Sequence, residues 1–179
     1  MTQPIDIKSK IRTVPHWPKQ GIMFRDITTL LKDDVCFSHI INLLYERYKT
    51  KKIDSIAAIE SRGFIIGSAL AYKLGLGFIP IRKKGKLPAE TVAEEYTLEY
   101  GIDVIEIHKD AIFPGANILL VDDLVATGGT ALAACRLIKK LSGNVVECVF
   151  VIDLPDLGGK KKLEHEGYRT FTLVEFSGE

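Results

Sequence analysis

The sequence predicts an α/β fold with a mostly parallel central sheet flanked by helices. Residues 55–74 and 118–141 carry this prediction, because each segment contains an aliphatic run, a short polar turn and a helical pattern in that order. Strands and helices that alternate in this way form parallel strand pairs joined by right-handed crossovers. The length allows one substantial core, so residues 1–179 are expected to form a single domain.

The elements before the first of these segments are expected to be short. Isoleucines among basic residues at 5–12 indicate an N-terminal helix, which Pro15 ends because proline breaks a helix interior. Residues 21–27 are expected to be extended or irregular. Residues 33–48 have an amphipathic helical pattern, with an aspartate as the cap at its start.

The first strand-turn-helix unit begins with a buried strand at 55–59 and continues through the polar turn 60–63. A helix is predicted at 64–74, and Gly75 is expected to close it in the left-handed conformation. A short strand follows at 78–81.

A basic segment follows that strand directly, with four cations in the five residues from Arg82 to Lys86. A run of charge is most often a solvated loop. This one follows a strand of the sheet, at the edge where open α/β folds bind their ligands. Residues 96–107 then read as an antiparallel hairpin around Gly101. Residues 82–107 are therefore predicted to form a basic loop and a flexible hairpin lid.

The C-terminal half repeats the strand and helix alternation. A buried strand is predicted at 118–121 and a helix at 130–141. The nearly continuous apolar run at 144–152 indicates a central strand. A short charged helix at 160–166 and an edge strand at 169–176 complete the sheet.

Charge and composition narrow the class of protein. The 24 basic and 23 acidic residues give a net charge of +1, so no overall field favours nucleic acid or an anionic membrane as a partner. No apolar stretch has membrane-spanning length. The three cysteines are widely separated among apolar neighbours and are expected to be buried free thiols, which favours a reducing, cytoplasmic location. They are Cys36, Cys135 and Cys148.

The turn after residues 118–121 is the strongest candidate for a binding site. Backbone N–H groups at the start of the following helix can hold a phosphate, because Gly128 and Gly129 have no side chain in the way. Asp122 and Asp123, just before the turn, offer acceptors for hydroxyl groups or for a hydrated metal. This arrangement predicts a ribose 5-phosphate site. The expected phosphate-binding residues are Ala126, Thr127, Gly128, Gly129 and Thr130.

A glycine-containing turn is by itself weak evidence, because tight turns use glycine for structural reasons. The paired carboxylates favour the functional interpretation, since two anions at the end of a buried strand cost desolvation and repulsion unless a ligand or cation compensates. Neither the Walker fingerprint nor the dinucleotide-binding Gly-x-Gly-x-x-Gly pattern fits this turn.

The segment 118–130 resembles the phosphoribosyl pyrophosphate motif of the type I phosphoribosyltransferase family. Residues 21–27, 60–64, 82–88 and 98–101 resemble, in order and spacing, the adenine phosphoribosyltransferases of that family. The resemblance spans nearly the whole chain. It implies transfer of the 5-phosphoribosyl group from phosphoribosyl pyrophosphate to adenine, which gives AMP and pyrophosphate in purine salvage. It also implies Mg²⁺ bound with phosphoribosyl pyrophosphate, no direct protein ligand to the metal, and a homodimer.

The resemblance further implies the roles of individual residues. Residues 1–33 become a base-binding hood, in which Phe24 stacks on the purine and the backbone of Met23 and Arg25 reads its edge. A phenylalanine is more often a core residue, so this role rests on the resemblance alone. Asp122 and Asp123 become chiefly the ribose-binding residues. The implied pyrophosphate-binding residues are Ser61, Arg62, Arg82, Lys83 and Lys86.

The lid carries the implied catalytic residue. Glu99 assists proton movement at N7 of the purine as N9 attacks, and Tyr100 helps to cover the site. A carboxylate in a hairpin is usually only solvated, so Glu99 also depends on the resemblance. Family members have a cis peptide near the Arg62 turn, and one is therefore expected near Glu60 and Ser61.

Two other functions stay open. A transferase for a 6-oxopurine or for orotate would use the same phosphate and ribose residues, but the sequence has no obvious lysine to donate to a 6-oxo group. A non-catalytic regulator that binds phosphoribosyl pyrophosphate is less favoured, because such proteins carry a DNA-binding segment and no basic recognition helix is present here.

Overall fold

A seven-stranded sheet forms the centre of the fold in the computed structural model, which describes residues 5–97 and 101–178. The strands are β1 (Arg12–Pro15), β2 (Met23–Asp26), β3 (Ser55–Ile59), β4 (Gly77–Lys83), β5 (Thr91–Thr97), β6 (Ile102–His108), β7 (Asn117–Val125), β8 (Asn144–Asp153) and β9 (Thr170–Glu175). The α-helices are α1 (Thr28–Leu31), α2 (Asp34–Tyr48), α3 (Arg62–Leu74), α4 (Gly129–Lys140) and α5 (Gly159–His165).

The large sheet has the strand order β5-β6-β4-β3-β7-β8-β9. From β4 to β9 neighbouring strands are parallel, whereas β6 is antiparallel to β4 and β5 is antiparallel to β6. The predicted α/β class with a mostly parallel sheet is therefore confirmed. The predicted edge strand is β9, and the predicted hairpin lid forms the opposite edge.

Helices cover both faces of the sheet and create two apolar cores. Alternate residues of β3 belong to different cores, with Ile56 and Ala58 on the α2 and α3 side and Ala57 and Ile59 on the α4 side. This two-sided burial explains why β3 and β7 read as continuous aliphatic runs rather than as alternating patterns. All three cysteines are buried free thiols, as expected.

The N-terminal helix prediction is wrong over most of its length. A single 3-10 turn occupies Lys8–Lys10, and the chain then enters β1, which pairs antiparallel with β2 in a separate two-stranded sheet. The isoleucine spacing at 5–12 fits either a helix or this arrangement, and the pairing with β2 decides between them. The short helix α1 was also not predicted.

Three boundaries differ from the predicted ones because strand pairing extends them. β4 continues to Lys83, since Arg82 and Lys83 pair with Glu106 and Ile105 of β6. The hairpin was predicted to begin at residue 96, but its first strand, β5, begins at Thr91. β7 continues through both aspartates to Val125. Among the described residues, no helix has the length and apolar character needed to cross a membrane.

Candidate active site

A cleft of about 430 Å³ opens at the carboxyl ends of β3 and β7, the edge at which parallel sheets bind ligands. It brings together the ends of two neighbouring strands, the start of two helices and one side of the hairpin. Its polar and loop residues are Glu60, Ser61, Arg62, Lys83, Tyr96, Asp122, Asp123, Ala126, Thr127, Gly128, Gly129 and Thr130.

The phosphate loop, residues 126–130, joins β7 to α4 and lines one wall of this cleft. Gly128 is the helix cap, with φ of 76°, in the left-handed region that favours glycine. Because Gly128 has no side chain, it makes no side-chain hydrogen bond to the first turn of α4. The first N–H groups of this 12-residue helix therefore lie where an anion can accept from them.

Asp122 and Asp123 both line the cleft. The backbone N–H of Asp123 donates to Oδ1 of Asp122 at 2.8 Å, and the side chain of Asp123 is almost fully buried. Burial raises the pKa of Asp122 well above its ordinary value, and the charge of Asp123 raises it further. Burial also raises the pKa of Asp123, although the Arg62 guanidinium opposes this rise. Two anions so placed favour a ligand that supplies hydrogen-bond donors or positive charge.

Arg62 is the first residue of α3 and connects several parts of the site. Its Nε lies 2.7 Å from Oδ2 of Asp123. The turn before it contains the expected cis peptide, between Glu60 and Ser61. Gly63 allows α3 to approach β7 closely, because a side chain there would place its first carbon 2.7 Å from Oδ1 of Asp122.

The cations of the basic segment have different surroundings. Lys83 lines the cleft, and its Nζ lies 3.0 Å from Oδ2 of Asp103. Arg82 turns toward Glu60, donating from Nε to Oε2 at 2.9 Å, and also donates to the backbone oxygen of Lys86. Lys86 is exposed outside the cleft lining. In this conformation, Lys83 is therefore the cation of this segment that faces the cleft.

The three residues implied to bind the base lie in β2. The guanidinium carbon of Arg62 lies 5.5 Å from the centre of the Phe24 ring, which places this ring beside the cleft. Arg25 is buried, donates to Oγ1 of Thr13 at 2.7 Å and lies over the ring of Phe176. Met23 is partly buried next to them. None of the three belongs to the cleft lining itself.

Glu99 and Tyr100 lie outside the described residues. The strands on either side of them are described, and β5 packs against α4 through ion pairs of Glu94. Lys140 and Arg136 of α4 approach the Glu94 carboxylate at 2.6 Å and 3.5 Å. The hairpin is thereby attached to the helix that begins at the phosphate loop.

Three residues of the site region were not singled out by sequence reasoning. Tyr96 lines the cleft and donates from its hydroxyl to Asp103 at 3.2 Å, and burial raises its pKa. Glu60 also lines the cleft. Trp17 packs edge-on against Phe24, with ring centres 4.4 Å apart. Residues 92–96 do not alternate apolar and polar side chains, so the sequence carried no strand signal that could have placed Tyr96 at the cleft.

Comparison with known proteins identifies the family. Residues 26–177 match the phosphoribosyl transferase domain family. A protein from Nitrosospira multiformis named adenine phosphoribosyltransferase is 62% identical over 174 residues, which covers 97% of this chain and 99% of the relative. The structure of adenine phosphoribosyltransferase from Thermoanaerobacter pseudethanolicus superposes with a TM-score of 0.91, at 50% identity, covering 95% of this chain and 98% of that one.

A third relative was solved with ligands. Adenine phosphoribosyltransferase from Saccharomyces cerevisiae, complexed with an imino-altritol bisphosphate and adenine, superposes with a TM-score of 0.88 at 41% identity, covering 94% of this chain and 96% of that one. The similarity is thus full-length in both sequence and structure. The chain belongs to the adenine phosphoribosyltransferase family.

Proposed function

We propose that this chain transfers the 5-phosphoribosyl group of phosphoribosyl pyrophosphate to adenine, giving AMP and pyrophosphate in purine salvage. The observation that carries the proposal is the cleft in which the phosphate loop, two carboxylates and Arg62 meet. Full-length relatives named adenine phosphoribosyltransferase support the choice of base. The complex of the yeast relative with adenine and a bisphosphate sugar analogue gives further support.

Different groups of phosphoribosyl pyrophosphate and adenine bind to different parts of the site. The 5-phosphate accepts from backbone N–H groups of residues 126–130, and the ribose hydroxyls donate to Asp122 and Asp123. The pyrophosphate is bound by Ser61, Arg62, Arg82, Lys83 and Lys86. Phe24 stacks on adenine, while the backbone of Met23 and Arg25 binds its edge. Arg62 contacts both Asp123 and Phe24, so it lies between the sugar side and the base side.

The reaction is a displacement at the anomeric carbon, in which N9 of adenine forms the new bond and pyrophosphate leaves with its electron pair. The protein supplies charge placement and exclusion of water, because hydrolysis competes with transfer. Glu99 assists the movement of the N7 proton, and Tyr100 covers the site. A lid that desolvates Glu99 would raise its proton affinity in the direction this role needs.

The donor set of the cleft fits Mg²⁺ that enters with phosphoribosyl pyrophosphate. Among the residues that the structure describes, no group of three or more His, Cys, Asp or Glu side chains could hold a metal alone. Mg²⁺ commonly keeps several waters and binds through substrate phosphates, so phosphoribosyl pyrophosphate and water would hold it while Asp122 and Asp123 bind the ribose hydroxyls. When bound, the metal would neutralise charge on the departing pyrophosphate.

We further propose a homodimer in the cytoplasm. The α3 helix exposes Ile65 and Tyr72 two turns apart, and Tyr72 is 90% exposed, which supports an apolar contact with a second copy. The buried free thiols support a reducing compartment. Sedimentation of the wild type and of a Tyr72→Glu variant tests the dimer, and cell fractionation tests the location.

The first experiment mixes the protein with phosphoribosyl pyrophosphate, Mg²⁺ and one base at a time. We expect pyrophosphate release with adenine and little release with hypoxanthine, guanine or orotate. Turnover with another base in place of adenine would assign the alternative transferase activity. Tight binding of phosphoribosyl pyrophosphate without turnover of any base would assign the regulator.

Trp17 offers a direct test of the base site, because it is the sole tryptophan of the chain and contacts Phe24. Adenine that stacks on Phe24 should change the emission of Trp17, and a Phe24→Ala variant should lose this change together with adenine affinity. An unaltered titration in the variant would remove Phe24 from the base site.

The role of Glu99 is tested separately. A Glu99→Gln variant should lose turnover while its KM values stay close to those of the wild type. Glu95, exposed on β5, provides the matched control, since Glu95→Gln removes a carboxylate from the same hairpin. Full turnover in Glu99→Gln would overturn this assignment.

A further inference from the structure

The turn between β8 and α5 leads to Gly159, the first residue of α5, which lies directly against the phosphate loop. The backbone N–H of Gly159 donates to the carbonyl oxygen of Ala126 at 2.9 Å. A side chain on Gly159 would place its first carbon 2.6 Å from the backbone nitrogen of Gly128 and closer still to the Ala126 oxygen. A side chain on Gly128 would in turn lie 2.8 Å from the Gly159 oxygen. The two backbones therefore touch with no space for a methyl group between them.

This turn is held by the sheet on both sides. The backbone N–H of Leu154 donates to Val125, the last residue of β7, and that of Phe176 donates to Asp153, the last residue of β8. Lys160, next to Gly159, approaches the Glu175 carboxylate of β9 at 3.3 Å. The position of Gly159 thus follows from the ends of β7, β8 and β9 and needs no ligand.

The hydrogen bond from Gly159 also sets the direction of a peptide group in the phosphate loop. In a trans peptide the carbonyl and the N–H point to opposite sides. The Ala126 carbonyl points toward Gly159, so the N–H of Thr127, which belongs to the same peptide, points away from it. Thr127 is exposed and lines the cleft. The contact with Gly159 therefore fixes the direction of the Thr127 N–H, in a residue that lines the cleft.

We propose that Gly159 is a positioning residue for the phosphate site, fixing the Ala126–Thr127 peptide so that the Thr127 N–H faces the 5-phosphate before substrate arrives. This proposal rests on the proposed function, because it assumes that the 5-phosphate binds at residues 126–130. It assigns to the β8–α5 turn a role in affinity for phosphoribosyl pyrophosphate, and no role at the base or at the leaving group.

The test compares Gly159→Ala with Gly158→Ala. Gly158 has φ of 71°, so alanine there strains the backbone, but a side chain would meet no atom within 4 Å. Gly159→Ala should raise KM for phosphoribosyl pyrophosphate at least about tenfold, with KM for adenine and kcat changed less than about twofold. Gly158→Ala should lower the melting temperature and leave both KM values unchanged. Equal changes of KM in the two variants, or none in Gly159→Ala, would overturn the proposal.

Binding of ribose 5-phosphate gives a readout that does not require turnover. It should raise the melting temperature of the wild type and of Gly158→Ala, and raise that of Gly159→Ala much less. In the wild type, the Gly159 amide should be protected from exchange before ligand is added, while the Thr127 amide signal shifts on titration. An unmoved Thr127 signal contradicts the proposal, even if Gly159→Ala fails to fold. Absence of turnover with adenine, with ribose 5-phosphate still binding, contradicts the proposed function alone.

Discussion

The Nε atom of Arg62 lies 2.7 Å from Oδ2 of Asp123, at the point where α3 begins and β7 ends. The Asp123 side chain is nearly buried, whereas that of Arg62 is about one-third exposed. The Arg62 guanidinium therefore lowers the cost of burying the Asp123 carboxylate, while part of the Arg62 side chain remains exposed to the cleft. The same guanidinium reaches the Phe24 ring, so a change at Arg62 affects both ends of the site.

Removal of this cation should shift the pH dependence of substrate binding. Without Arg62, burial raises the pKa of Asp123 further, so the carboxylate becomes protonated at a higher pH. An Arg62→Ala variant should bind phosphoribosyl pyrophosphate at least about tenfold more weakly, and its loss of binding on acidification should begin at higher pH. Initial rates from about pH 4 to pH 8 measure both effects. An acid limb identical to that of the wild type would contradict the prediction.

Asp122→Asn should stabilise the empty protein at neutral pH. The pKa of Asp122 is raised in the folded state, so the folded protein binds this proton more tightly than the unfolded chain. Its contribution to stability is present below the unfolded value of 3.8 and is lost as the pH rises through the folded pKa. Asparagine is neutral throughout and removes this loss. Thermal unfolding at pH 7 should show a higher melting temperature, together with weaker binding of phosphoribosyl pyrophosphate.

Lys83 and Lys86 should differ in their effect on phosphoribosyl pyrophosphate binding. Lys83 lines the cleft, and the Asp103 carboxylate raises its pKa, so it is fully charged at neutral pH. Lys83→Met should raise KM for phosphoribosyl pyrophosphate more than Lys86→Met, and should reduce the salt dependence of that KM. Steady-state kinetics at low and high salt make the comparison. A larger effect of Lys86→Met would mean that the basic segment rearranges when substrate binds.

Glu147→Gln should lower stability without changing the site. Glu147 is buried in β8, where it accepts from Arg47 at 2.9 Å and 3.1 Å and from the Tyr48 hydroxyl at 2.5 Å. Loss of these charge-assisted bonds should cost about 2 kcal/mol of unfolding free energy. Urea unfolding measures this cost, and turnover per folded molecule should be unchanged. Glu46→Gln, which alters the exposed ion pair of Glu46 with Lys49 at the end of α2, should cost much less.

The pH dependence of this contribution has the opposite sign to that of Asp122. Burial raises the pKa of Glu147, but hydrogen bonds from Arg47 and Tyr48 outweigh it and hold the pKa below its ordinary value. The stabilisation is therefore present above the unfolded value of 4.5 and is lost as the pH falls through the lowered pKa. A difference between Glu147→Gln and wild type that persists unchanged in acid would contradict this assignment.

Local sequence patterns predicted the parts of the fold whose neighbours in space are also neighbours in the chain. The α2 helix, with Asp33 accepting from the N–H of Cys36 at its cap, has its signals within one segment. The same holds for the turn that joins β7 to α4. In these elements the apolar spacing indicates which residues are buried, and the polar residue before the helix indicates where it begins.

Contacts between distant segments account for what the sequence did not predict. Glu60 accepts from Arg82 and from the backbone N–H of Lys83, and no spacing within either segment indicates that pair. Tyr96 reaches the cleft only because β5 folds back along β6. Trp17 meets Phe24 because β1 and β2 pair with Val14 opposite Phe24.

The pairing of the hairpin with the rest of the sheet has a mechanical consequence. β7 has a parallel partner on each side up to Val121, and its pairing with β8 continues past both aspartates to Val125, so Asp122 and Asp123 lie on a strand anchored before and after them. In the described part of the chain, β6 joins β4 through two residue pairs, Arg82 with Glu106 and Lys83 with Ile105. Further contacts hold the base of the hairpin, because Ile105 and Ile107 of β6 are buried in the core and Glu94 of β5 pairs with Lys140 and Arg136 of α4. The hairpin and the helix that begins at the phosphate loop therefore rest on one shared core, and a substitution that repacks this core should disturb both of them together.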